Sequence, residues 1–182
     1  MKEIETRIID IDVQEMRRKL LSIDAVKVKQ ENQINNIYDF SDKRLLNNKG
    51  YARIRTVQDD LTNSTLHYIT TKKLISQEKY KIMDEHESEI KDEAAAKGIF
   101  EALGLNLIQS IKKYRESYRY KNTLIEIDIN EKEFCPFPYI EIEGEDEYEI
   151  IEVIGLLGYS LEDTTSKTIY EILKSKNKVE GL

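Results

Sequence analysis

Cysteine, proline and histidine are scarce in this 182-residue chain, and tryptophan is absent. The one cysteine, Cys135, cannot close an intrachain disulfide, and two scattered histidines, His67 and His86, do not make a zinc spacing. A disulfide scaffold and structural zinc are thereby set aside. The only prolines, Pro136 and Pro138, fall in one Cys-Pro-Phe-Pro turn, and no Pro-rich or Gly/Ser-rich linker divides the chain. One domain over residues 1–182 is expected, with 174–182 as a polar tail in which Lys174, Lys176 and Lys178 are solvated charge or frayed helix. No apolar run approaches the roughly 20 residues that span a bilayer, and the opening Met-Lys-Glu-Ile-Glu lacks an apolar signal region. The expectation is a soluble, cytoplasmic protein with no membrane partner. Net positive charge is also lacking: the formal charge is −7, so the surface as a whole should repel nucleic acid. Any anion the protein binds needs a local cationic site.

What the chain does have is alternation. Residues 3–9, Glu-Ile-Glu-Thr-Arg-Ile-Ile, place charge and β-compatible apolar residues at period two, the pattern of a half-buried strand. Seven further strands are predicted at 33–40, 51–57, 66–73, 80–90, 108–120, 123–130 and 138–144. Helical spacing predicts amphipathic helices at 12–23, with Asp12 as N-cap, and at 92–103, 147–157 and 164–175. Eight strands and four helices in this mixture predict an α+β fold.

The charged faces of the strands carry the chemistry, because period-two geometry sorts them by sign. Glu3, Glu5 and Arg7 share a face, as do Glu126 and Asp128, and Glu141 and Glu143. Basic residues gather on other strands: Arg53 and Arg55, then Lys72, then Lys113 and Arg115. For any single strand the plain alternative is a solvated face above an apolar one. Across five strands the sorting asks for a counter-charge, since rows of like charge are unfavourable without one. A closed barrel with a charged lumen accounts for it. Arg and Lys neutralise phosphate oxygens, and clustered carboxylates hold Mg²⁺ or Mn²⁺. In-line phosphoryl transfer depends on positioning and charge neutralisation, so the lack of a nucleophilic triad is no objection.

At this point the chain resembles the CYTH superfamily, the triphosphate tunnel metalloenzymes. The fragments occur in order: Glu3-Ile-Glu5-Thr-Arg7, Asn36-Ile-Tyr38-Asp39, Arg53-Ile-Arg55, Thr70-Thr-Lys72, Glu85-His-Glu87-Ser-Glu89, Lys113-Tyr-Arg115 with Tyr118, Glu126-Ile-Asp128, Phe137-Pro-Tyr-Ile-Glu141-Ile-Glu143-Gly144, and Tyr170-Glu-Ile-Leu. The resemblance implies an eight-stranded antiparallel closed β-barrel flanked by helices, binding triphosphate within. It implies Glu3, Glu5, Asp128, Glu141 and Glu143 on the metal side, with Mg²⁺ or Mn²⁺ as cofactor. Arg53, Arg55, Lys72, Lys113 and Arg115 would hold the phosphates, joined by Lys167 at one tunnel end. Arg7, Lys72 and Glu87 would serve the chemistry, with Glu85, Glu89 and Glu126 as further carboxylates on the same faces. The family pattern has lysine where Arg7 stands; arginine keeps the charge but cannot act as a base. Among the tyrosines, Tyr38, Tyr51, Tyr68, Tyr118 and Tyr139 are candidates for stacking on a base. The expected activity is metal-dependent hydrolysis of a triphosphate such as ATP, thiamine triphosphate or tripolyphosphate. The alternatives are a class IV adenylyl cyclase and a non-catalytic polyphosphate or nucleotide binder. A homodimer is a further implication of the resemblance.

Overall fold

A computed structural model describes the backbone of residues 2–180 and the side chains of residues 4–176. Eight strands close into one antiparallel barrel: β1 (Lys2–Ile9), β2 (Val26–Asp39), β3 (Tyr51–Asp59), β4 (Ser64–Gln77), β5 (Lys81–Ile90), β6 (Asn106–Tyr120), β7 (Thr123–Asn130) and β8 (Tyr139–Gly144). Around the ring the order is β1-β5-β4-β3-β2-β6-β7-β8, with β8 returning to β1. The described residues also form five α-helices, α1 (Val13–Ser22), α2 (Arg44–Asn47), α3 (Glu93–Ala102), α4 (Glu147–Leu156) and α5 (Ile169–Glu180), and a short 3₁₀ turn at Leu161–Asp163.

The barrel is built inside out, with apolar faces turned to the helices and charged faces turned to the lumen. Ile125 and Ile127 of β7 and Ile140 and Ile142 of β8 pack under Met16 and Leu20 of α1 and Ile150, Val153 and Ile154 of α4. Each such side chain contributes about 1.5–3 kcal/mol when fully buried. A second cluster joins Ala96 and Phe100 of α3 to Tyr38, Ala52 and Ile54, and a third seats Ile169 and Ile172 of α5 on Cys135, Phe137 and Tyr139. Aspartates cap three helices: Asp12 accepts from Glu15 N at 2.8 Å, Asp92 from Ala95 N at 3.0 Å and Asp146 from Tyr148 N at 2.8 Å.

The structure moves several sequence-based boundaries. β2 begins at Val26, seven residues before the expected 33, because residues 26–32 pair with the far end of the long β6. The expected helix at 164–175 starts instead at Ile169. Thr165 is drawn into extended backbone by its reciprocal bonds with Arg7, at 3.0 and 2.8 Å. Thr168 and Glu171 then form a capping box, with Thr168 N donating to Glu171 Oε2 at 2.8 Å and Glu171 N to Thr168 Oγ1 at 3.2 Å. The expected polar tail is helical through Glu180. The single-turn α2 has no periodic signal; the buried Asp39 organises it by accepting from Leu45 N and Leu46 N at 3.0 and 2.8 Å.

Candidate functional site

The lumen is a cavity of about 1140 Å³. Its basic lining comprises Arg7, Lys29, Lys43, Lys49, Arg53, Arg55, Lys72, Lys81, Lys113, Arg115 and Lys174; its acidic lining comprises Glu5, Glu85, Glu87, Glu126, Glu141, Glu143 and Glu171. The interior is therefore net positive in a protein of net charge −7. Strand order distributes these charges: β7, β8 and β1, which carry Glu126, Asp128, Glu141, Glu143 and Glu5, stand across the ring from β4, β3 and β2, which carry Lys72, Arg53, Arg55 and Lys29.

On the acidic wall, Arg7 lies between two carboxylates. Its Nη2 is 2.5 Å from Glu5 Oε1 and 2.5 Å from Glu141 Oε1, its Nε donates to Glu141 Oε1 at 2.7 Å, and its Nη1 donates to the Lys167 carbonyl at 2.9 Å. Lys81 of β5 also pairs with Glu5. Burial pushes the Glu5 carboxyl up, but Arg7 and Lys81 outweigh it and the net shift is down. Burial likewise opposes ionisation of Glu141, and Arg7, Arg115 and Lys113 overcome it, holding this group well below the usual carboxylate range. Next to this set, Asp128 is 0 % exposed and accepts a two-pronged contact from Arg115, Nε and Nη2 both at 2.6 Å, plus Lys113 Nζ at 2.8 Å. Arg115 also pairs with Glu126 and, at 3.0 Å, with Glu141.

On the basic wall, Arg53 and Arg55 converge on Glu87 at 3.2 and 2.9 Å, and Thr70 Oγ1 donates to the same carboxylate at 2.7 Å. Burial raises the Glu87 carboxyl, but Arg55, the Thr70 hydrogen bond and Arg53 bring the net shift below the ordinary value. Lys72 pairs with Glu85 at 2.5 Å. The buried Nε donors of Arg53 and Arg55 and the Nδ2 of Asn130 have no acceptor among the described residues. One end of the lumen is bordered by Lys43, Leu46, Asn47, Lys49 and Gly50 of the β2–β3 connection and by Thr168, Ile169, Tyr170, Glu171 and Lys174 of the α5 region.

Of the residues expected in the site, Glu5, Arg7, Arg53, Arg55, Lys72, Glu87, Lys113, Arg115, Glu141 and Glu143 all line this cavity, and Asp128 lies directly behind Lys113 and Arg115. The backbone of Glu3 pairs with Met83, and its side chain lies outside the described ones. Lys167 departs from expectation: its exposed side chain is not part of the lining, and only its carbonyl reaches the site, through Arg7. Glu85 and Glu126 line the cavity whereas Glu89 does not, because the exposed far end of β5 runs past it. Tyr51 and Tyr139 face the lumen; Tyr38 and Tyr118 pack in the outer cores, and Tyr68 sits beside Arg55 outside the lining. Sequence reasoning missed Lys81, although Lys81, Met83, Glu85 and Glu87 follow the same period-two rule, and it gave no role to Lys174, which lies within the expected helix and lines the cavity at its α5 end.

The donor chemistry suits a hard divalent cation. Glu5 and Glu141 present carboxylate oxygens to one common point, now held by Arg7 Nη2, while no three metal-binding side chains converge among the described residues. Two carboxylates are a sufficient protein share for a hard divalent cation whose other ligands are water and phosphate.

The CYTH domain model matches residues 1–169, and the chain belongs to that family. Its fold is shared by PH1012 of Pyrococcus horikoshii OT3 (23 % identity, TM-score 0.76, covering 93 % of this chain and 98 % of that one). It is also shared by a candidate adenylate cyclase of Vibrio parahaemolyticus (15 % identity, TM-score 0.74, 94 % and 97 % covered). HpAC1 of Hippeastrum, described as a candidate adenylyl cyclase with a dominant triphosphatase activity, is similar over 96 % of this chain and 95 % of its own (16 % identity, TM-score 0.66). No curated protein matches the chain in sequence. No helix among the described residues is long and apolar enough to cross a membrane.

Proposed function

We propose that this protein hydrolyses a triphosphate compound inside the barrel, with a divalent cation. The observation that carries the reading is the opposition of the two walls: a polyphosphate lying along the lumen has Arg53, Arg55 and Lys72 on one side and the Glu5–Glu141 pair on the other. Arg53 Nε, Arg55 Nε and Asn130 Nδ2 are buried donors that phosphate oxygens would satisfy, removing a cost that the free protein carries. Lys113 and Arg115, fixed by Asp128, stand at the junction of the two walls, where they can hold a terminal phosphoryl group in line with an attacking water.

Glu5 and Glu141 would hold Mg²⁺ or Mn²⁺, which supplies charge neutralisation of the phosphate oxygens as the terminal group is transferred. The side chains themselves act through charge and position. Glu5, Glu87, Asp128 and Glu141 are all held below the ordinary carboxylate range, which makes them weak bases, and Arg7 is pushed further above its already high value. Hydrolysis is also the reading favoured by the triphosphatase activity described for HpAC1.

The test is incubation with tripolyphosphate, ATP and thiamine triphosphate, each with Mg²⁺ or Mn²⁺. Orthophosphate release from at least one is expected. Cyclic AMP with pyrophosphate from ATP would replace hydrolysis by cyclisation, and tight binding without product would make the protein a binder.

A further inference from the structure

We infer that Arg7 is a resident counter-cation: in the free protein its guanidinium holds the point between Glu5 and Glu141 that a divalent cation needs, so the cation enters with the triphosphate and not before it. This rests on the proposed function for the identity of the anion, but the occupation of that point is a matter of geometry. All three guanidinium nitrogens are engaged, Nη2 with both carboxylates, Nε with Glu141 and Nη1 with the Lys167 carbonyl. Arg7 is 5 % exposed and Glu5 is 3 % exposed, and the Glu141 side chain is 13 % exposed on the lumen side, so the arrangement is screened far less than a surface ion pair. Lys81 adds a second cation on Glu5 from the β5 side, and Arg115 reaches the other oxygen of Glu141 at 3.0 Å, so both carboxylates are already neutralised.

A second positive ion added here meets the fixed charges of Arg7 and Lys81 before it meets unpaired carboxylate oxygens. Arginine stays charged throughout the working pH range, so positive charge leaves this point only when the side chain moves. A triphosphate supplies the reason to move: its anionic oxygens give the guanidinium an alternative two-pronged partner and release Glu5 and Glu141. Three anchors distinguish Arg7 from a lysine, whose compact ammonium has no planar fork to span both carboxylates and the Lys167 carbonyl together.

The experiment measures Mn²⁺ binding to the metal-free protein by the loss of the free-ion electron paramagnetic resonance signal, without any triphosphate. Arg7→Gln should bind Mn²⁺ about tenfold or more tightly than wild type, the scale expected when a like charge a few ångströms away is removed. Arg18→Gln, which removes a positive charge from the exposed face of α1 outside the barrel, should bind as wild type does. Equal Mn²⁺ affinity in wild type and Arg7→Gln overturns the inference, as does an equal gain in Arg18→Gln, which would make the effect one of net charge alone. If Arg7→Gln does not fold, Arg7→Lys takes its place, with tighter binding than wild type expected and equal binding overturning the idea. Titration of wild type with tripolyphosphate alone tests the proposed function separately: failure to bind would sink that reading and leave the metal-only comparison intact.

Discussion

At the scale of single residues, the tunnel holds two kinds of arginine. Arg115 is structural as well as electrostatic, since Asp128, fully buried, and Glu126 both depend on it. Arg115→Ala leaves buried carboxylates short of a partner, a change that costs about 3–5 kcal/mol and should lower the melting temperature by roughly 6–20 °C in a domain of this size. Arg55 is different: its partner Glu87 keeps Arg53 and Thr70. Arg55→Ala should therefore melt within a few degrees of wild type, about 1 kcal/mol or less, while binding tripolyphosphate at least about tenfold more weakly. Thermal denaturation and calorimetric titration of the same two variants check both halves. Equal melting temperatures for the pair would show that Asp128 does not depend on Arg115.

At the scale of elements, α1 is tied to the barrel by a polar network as well as by its apolar face. Glu116 of β6, almost wholly buried, receives Arg17 of α1 at 2.5 and 3.1 Å, Tyr114 at 2.9 Å and Tyr118 at 2.8 Å, with Lys27 of β2 at 3.1 Å. Burial works against its charge, but the hydrogen bonds from Arg17, Tyr118 and Tyr114 prevail and bring the carboxyl from 4.5 to about 2. A pKa lowered on folding gives stability that is present above the unfolded value and is lost as pH falls toward the folded one. Glu116→Gln should therefore lower the melting temperature at pH 7, by roughly 4–8 °C for the loss of about 2 kcal/mol in charged hydrogen bonds. The gap from wild type should narrow as pH falls from 4.5 to about 2. A gap that stays constant across that range would contradict the network. At the opposite end, Glu171 joins α5 to Lys49 at 2.8 Å and to Gln77 at 2.7 Å, and its carboxyl, disfavoured by burial, is brought to about 2 by those hydrogen bonds and those of Thr168. Glu171→Gln should increase amide hydrogen exchange in α5 while leaving that of β7 and β8 unchanged.

Elements also show which parts of the structure were legible in the sequence. β7 and β8 could be read almost residue for residue, because isoleucines alternate with carboxylates and the two faces meet opposite environments. The first half of β2 was missed although Val26-Lys27-Val28-Lys29 alternates apolar and charged residues: the alternation breaks at Gln30-Glu31-Asn32, and pairing with β6 carries the strand across that polar stretch. α5 was placed too early because helical spacing alone does not reveal that Thr165 is committed to Arg7; the Thr168-x-x-Glu171 capping signature marks the true start.

At the scale of the whole molecule, closure of the sheet converts sequence alternation into function. Period two sends charge inward on all strands at once, and the ring order sets carboxylates opposite guanidinium groups, a relation no single strand contains. That is why the residue types of the site were legible while its internal partnerships, such as Lys81 on Glu5 or Arg7 between Glu5 and Glu141, required the fold. A net-positive lumen in a net-negative molecule also predicts selection by anion length. Orthophosphate spans only part of the lumen, whereas tripolyphosphate reaches both walls, so its binding should weaken steeply with added salt. The most direct test is calorimetric titration of the protein with tripolyphosphate beside orthophosphate. Tripolyphosphate should bind with one site per chain and with an affinity at least about a hundredfold greater, a difference of roughly 2.7 kcal/mol; equal affinities, or no heat from either, would contradict a tunnel built to hold a triphosphate.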